Sequence, residues 1–313
     1  MLGLPAAPAS AAADLWVELA GSRPFPIVLR PRSEWFATTA GPQLSVKSLA
    51  SAEGDRFVQM RFGSSTNYAE FTINYAGDRV WVRWAESARF EDVVGLFLRP
   101  VFPIVLWLRG ITCLHASVVA VDGLAVSFMG PAGAGKSSMA AAFGRLGYPV
   151  LTDDAAAIHD AGDLFWVQPS FPSISMWPDT AQSLVGSTDL PRLWRTADKH
   201  SLDLALDSGG AAFRFETGPR PLGAAYWLGG RQPEASQIRI EPIEPARGLI
   251  LLLANLATHS YISKDHRLRS FELLGRMAAS VPLREAYCPD DITNLPRACE
   301  VILRDLASLR ANR

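Results

Sequence analysis

The stretch "FMGPAGAGKSSMAAAFGRLGYPVLTDD", residues 128–154, decides how the rest of the chain is read. It leaves an apolar run, breaks into glycines around a lysine, continues in alanines and closes on two aspartates. Gly130, Pro131, Ala132, Gly133, Ala134, Gly135, Lys136 and Ser137 match G-x-x-x-x-G-K-[ST] in full, with Ser138 next in line. In such a loop the glycines let backbone N–H groups turn inward onto phosphate oxygens, and the following helix adds its positive N-terminal end. Lys136 is placed to neutralise the β- and γ-phosphates, and Ser137 to offer its hydroxyl to Mg²⁺. The pattern predicts a nucleotide site that takes ATP with Mg²⁺.

Two further elements lie at the margins of this loop. Asp153 and Asp154 end the apolar run "YPVLTDD", where α/β sheets present ligand-facing residues at the carboxyl edge. One carboxylate can reach Mg²⁺, and the other can accept the proton of an attacking hydroxyl. Adjacent residues of a strand face opposite ways, so a division of roles is physically sensible. His115, in "LHASVVAVDGLAVSFMG", opens the hairpin that feeds the loop and is the third candidate.

Working outward, the chain has 313 residues and a net charge of −1, which argues against a broad nucleic-acid-binding or membrane-binding face. Cys113, Cys288 and Cys299 form no CxxC pair and no zinc spacing, which reads as reduced thiols in a cytoplasmic protein. His159, His200, His259 and His266 show no metal spacing either. The opening "MLGLPAAPASAAADLW" lacks a basic region and is broken by prolines, so it reads as an unstructured lead-in over residues 1–13 and not as an export signal.

The expected architecture is α/β. Residues 14–110 read as a β-rich region ending in a helix, and residues 111–313 as the catalytic domain. In the first region, "EFTINYAGDRVWVRW" (70–84) is a hairpin pattern about Ala76-Gly77-Asp78, and Trp81 and Trp84 read as packing residues. A helix follows over 91–109, with a break at Pro100 and Pro103. In the second, Asp122-Gly123 marks a hairpin immediately before the glycine loop, and a helix over 138–147 stops at Gly147. Residues 169–200 read as loop, with helices expected near 247–262, 267–280 and 293–310.

Taken in order and spacing, residues 112–154 resemble the catalytic domain of the HPr kinase/phosphorylase family and its smaller kinase relatives. In that family a histidine-containing strand and a hairpin precede the phosphate loop, and a helix then leads to a strand ending in Asp-Asp. "PSFPSISMWPD" (169–179) and "VPLREAYCPDD" (281–291) look like segments of the smaller relatives. The resemblance implies a core akin to phosphoenolpyruvate carboxykinase, with a mixed sheet; the antiparallel hairpin before the loop agrees. It implies Lys136 as the phosphate-stabilising lysine, His115 as an active-site histidine, and one of Asp153 and Asp154 as proton acceptor, leaning to Asp153, with Ser137 and Asp154 at the metal. It also implies a homo-oligomer. The glutamate-arginine-glycine segment of the bifunctional regulators is missing between residues 155 and 230, which argues against the reverse phosphorolysis.

The smaller relatives include serine kinases that tailor ribosomally made peptides of the lasso type. The leading expectation is therefore an ATP-dependent kinase acting on a serine of a peptide or small protein. A small-molecule kinase and a nucleotide-binding switch or scaffold remain alternatives, and the Asp pair argues against the switch. Trp177, Pro172 and Lys199 could shape an acceptor pocket or cover the nucleobase, because functional residues concentrate on loops.

Overall fold

The structure, a computed structural model, describes residues 14–37, 44–193, 198–205, 213–232, 238–257, 264–289 and 291–311. The lead-in expected over residues 1–13 lies outside the described residues. By its contacts the chain divides into two compact units, with the change at residues 111 and 112.

The first unit is a sheet with strands β1 (Trp16–Gly21), β2 (Arg30–Ala37), β3 (Leu44–Ala50), β4 (Arg56–Gly63), β5 (Tyr68–Asn74) and β6 (Arg79–Trp84). Strands β2 to β6 form an antiparallel meander, and β1 returns to lie parallel to β6. The β5–β6 hairpin turns at Ala76-Gly77-Asp78 as its sequence requires, with Gly77 at φ +72°. Trp81 is buried, its ring edge-on to Phe25 at 5.1 Å and to Phe57 at 6.0 Å, and Trp84 tilts against Phe90 at 5.7 Å. Both tryptophans are packing residues. Helices α1 (Phe90–Leu96) and α2 (Phe102–Leu108) are joined by a π-helical turn, Phe97–Val101, that contains Pro100. The wider turn absorbs a residue with no N–H to donate.

The second unit holds β7 (Thr112–Leu114), β8 (Ser117–Val121), β9 (Leu124–Met129), α3 (Lys136–Arg145), β10 (Val150–Thr152), β11 (Ala156–Asp160), β12 (Phe165–Val167), β13 (Ser173–Met176), α4 (Pro178–Val185) and β14 (His200–Asp203). It continues with β15 (Arg220–Gln232), β16 (Arg239–Pro242), α5 (Pro245–Ala254), α6 (Lys264–Ser280), β17 (Leu283–Pro289) and α7 (Leu295–Ala311). The main sheet is mixed. Strands β10, β8 and β9 are antiparallel neighbours, whereas β9, β15 and β17 run parallel. Long β15 also pairs antiparallel with β12, which carries the sheet on through β11 to β7.

This topology aims three parallel strand ends at one edge, where ligands gather in α/β sheets. Helix α3 packs on one face with Met139, Ala140 and Phe143 buried among Val119, Val126, Phe128 and Tyr226. It begins at Lys136, two residues before the expected start, because the loop delivers Gly135 at φ +94° directly into the first turn. Gly147 follows the helix at φ +89°, the left-handed closing position expected of it. Residues 169–193 are less irregular than the sequence suggests: β13 and α4 form there, and β13 pairs with β14.

Candidate active site

The glycine loop leaves β9 and runs into α3 between two walls. Gly130 has φ +146°, and a Cβ there would stand 2.7 Å from the carbonyl oxygen of Leu228 in β15. Only glycine fits. Gly133 and Gly135 also have positive φ, but a Cβ at either meets open space. Their requirement is conformational. The Gly130 N–H donates to Asn255 Oδ1 at 3.3 Å, and the Asn255 carbonyl accepts from the His115 N–H at 2.7 Å. Asn255, at the end of α5, thus ties the loop to the candidate histidine.

Lys136 is buried, and its ammonium donates to the carbonyls of Gly130 at 2.9 Å and Pro131 at 3.2 Å. Burial pulls its pKa below the ordinary lysine value. The negative charge of Asp154 opposes that shift, Lys199 adds to it, and Asp153 opposes it further. The ammonium is thus held by two neutral carbonyls, with the carboxylates of Asp154 and Asp153 acting on its charge.

The Asp pair does not lie on a strand. β10 ends at Thr152, and the chain turns at once, with Asp154 left-handed at φ +74°. The Thr152 hydroxyl closes the turn by donating to the Ala155 carbonyl at 2.7 Å. The two carboxylates part because the backbone turns, and strand alternation has no share in it. Asp153 is fully buried, its Oδ1 accepting from the Ser117 hydroxyl at 2.6 Å and the Ser137 hydroxyl at 2.9 Å, and its Oδ2 from the Ser175 N–H at 2.8 Å. Three donors offset the cost of burying that carboxylate. Asp154 is half-buried and accepts from the Ser175 hydroxyl at 3.2 Å. Its backbone carbonyl accepts from His115 Nδ1 at 3.0 Å.

His115, Lys136, Ser137, Asp153 and Asp154 therefore converge at the loop, although Ser137 meets Asp153 and not the Asp154 expected beside it. Ser117, Ser175 and Asn255 also belong to the cluster without having been singled out from sequence. Ser117 opens β8, past the bend that holds His115, so strand alternation does not link the two. Asn255 carries no local signal.

Beside the loop opens a cavity of about 470 Å³, lined in part by Gly135, Ser138, Trp177, Thr180 and Leu295. Trp177 stands at its wall, with the Lys199 ammonium 5.6 Å from the ring centroid. Pro172 is buried, and its carbonyl accepts from the Leu204 N–H at 2.8 Å. It supports β13.

No protein-family model matches the chain. A search of curated proteins returns no match. Among solved structures, the chain is similar to one described as the HPr(Ser) kinase/phosphatase from Coxiella burnetii, at 13% identity and a TM-score of 0.34, over 64% of this chain and 99% of that one. So distant a likeness carries no functional argument, which must come from the side chains. Among the described residues, no helix is long and apolar enough to cross a membrane.

Proposed function

We propose that the protein is an ATP- and Mg²⁺-dependent kinase that transfers the γ-phosphoryl group to a serine hydroxyl of a peptide or small protein. The observation that supports it most is the division of the Asp pair. Asp153 is bound to the Ser137 hydroxyl, so these two oxygens form the donor set a small hard cation prefers alongside phosphate. Ser137 and Asp153 would hold Mg²⁺, which when bound neutralises charge on the β- and γ-oxygens. Asp154 lies outside that pairing, half-exposed and close enough to Lys136 to act on its charge. It suits the role of proton acceptor for the attacking hydroxyl. Geometry thus favours Asp153 for the metal and Asp154 for the base, the reverse of the lean drawn from the resemblance.

Lys136 is the charge that follows the phosphates, and the loop amides supply the remaining donors. His115 holds the Asp154 backbone. A nucleotide switch needs no second carboxylate beside the lysine, so Asp154 favours the kinase. Serine and peptide as acceptor rest on the resemblance of residues 112–154 to the serine-tailoring relatives. The test is incubation with γ-labelled ATP, Mg²⁺, a panel of serine peptides and a panel of small hydroxy compounds. Label recovered as phosphoserine supports the proposal. Label confined to inorganic phosphate returns the switch, and label only on small compounds returns the small-molecule kinase.

A further inference from the structure

The cavity beside the loop shares no lining residue with the end of the site where Asp153, Asp154, His115 and Ser175 meet. Its walls come from the other side of the loop and of α3, from Ala134, Gly135, Ser138 and Met139. A triphosphate with its γ end toward Lys136 and Ser137 must leave the loop in the opposite direction, past Ser138. That direction enters the cavity. We infer, on the kinase reading above, that this cavity is the nucleoside subsite: the purine base of ATP stacks on the Trp177 ring, with the Lys199 ammonium at the rim facing the phosphate chain.

The volume of about 470 Å³ falls within the range of small-ligand pockets, and much of the lining is apolar, as a base requires. Trp177 is 44% exposed although it lines a cavity, so a large aromatic face is available for contact. Its placement is fixed by the fold. Ser175 binds both aspartates and Met176 pairs with His200, so the next step outward sets Trp177 abreast of Lys199. The Lys199 ammonium, 5.6 Å from the Trp177 ring centroid, brings a positive charge to that wall of the cavity. The Asp291 carboxylate accepts from the Thr293 N–H at 2.9 Å and is already engaged in capping. Trp177 is the aromatic side chain among the lining residues, so a stack on the base falls to it.

Calorimetric titration with Mg·ATP and with inorganic tripolyphosphate separates the parts. Loss of a base–aromatic stack should weaken ATP binding by W177A about tenfold or more, while tripolyphosphate binds within twofold of the unaltered protein. W177F should restore most of the ATP affinity. K199A should weaken both probes by a similar factor, less so at high salt, and K199R should recover them. Unchanged ATP affinity in W177A, or an equal loss for tripolyphosphate, overturns the inference. So does a raised acceptor KM with ATP affinity intact, which would give the cavity to the acceptor. Failure of the unaltered protein to bind ATP at all would instead remove the kinase reading beneath it.

Discussion

The Ser137 hydroxyl donates to the Asp153 carboxylate at 2.9 Å, and this contact assigns different surroundings to two adjacent aspartates. Asp153 is buried under three donors, whereas Asp154 turns away on a left-handed residue. Asp154→Asn should therefore lower turnover by ~10²–10⁴ while leaving nucleotide affinity within a few fold, because a proton acceptor acts in the transition state. Asp153→Asn should instead weaken Mg²⁺-dependent ATP binding. Titration and kinetics on both variants check this. Equal, mild effects of the two substitutions would sink the division of roles.

Asp154 carries a backbone cost that its substitutions should reveal. Asparagine and aspartate tolerate the left-handed region, but alanine there costs roughly 1–2 kcal/mol. Asp154→Ala should thus unfold at a lower urea midpoint than Asp154→Asn, the two differing in unfolding free energy by about 1–2 kcal/mol. The His115 Nδ1 donor to the Asp154 carbonyl holds the same turn at 3.0 Å. His115→Ala should fold, bind ATP normally and turn over at least about tenfold more slowly, since misplacing a catalytic group is costly. Normal turnover in that variant would leave His115 a structural residue.

Much of this site is legible in the sequence because the signals are local. The loop, the Asp122-Gly123 hairpin and the glycine stop at Gly147 each need only a few neighbouring residues to be read, and each forms where expected. The division of the Asp pair was not legible. Alternation assumes a strand, and whether β10 continues past Thr152 depends on a turn closed by the Thr152 hydroxyl. Ser175 and Asn255 reach the site through β13 and the end of α5, elements whose positions follow from tertiary packing. The order of the sheet, with β15 between β9 and β17, is likewise a matter of long-range pairing.

The three loop glycines should not be equally replaceable. Gly130→Ala places a Cβ 2.7 Å from a backbone oxygen that cannot move without shifting β15, and φ +146° is strained for alanine. Gly133→Ala and Gly135→Ala meet open space and carry only the conformational cost, roughly 1–2 kcal/mol each. Gly130→Ala should thus be the most damaging to ATP binding and to the melting temperature. If Gly133→Ala is worse than Gly130→Ala in both measurements, the close approach to Leu228 is not what constrains the loop.

Acid should loosen the site from the side of α5. Glu285, buried on β17, accepts from Arg247 Nη2 of α5 at 2.8 Å. The Arg247 hydrogen bonds hold its carboxyl below the usual carboxylate range, with burial pulling the other way. A carboxylate with a depressed folded pKa contributes stability that is fully present above its unfolded value of about 4.3 and is lost as pH falls through the folded value. The same pair clamps α5 to the sheet, and α5 ends in the Asn255 that accepts from Gly130. Glu285→Gln should reduce stability at neutral pH and should remove part of the loss seen in the unaltered protein between about pH 5 and pH 3. Arg247→Ala should act in the same direction, and both should raise the Kd for ATP at neutral pH through the displaced asparagine. Urea midpoints at two pH values with ATP titrations check both halves. A Glu285→Gln protein whose stability falls with acid as steeply as the unaltered one would exclude Glu285 as a source of that dependence.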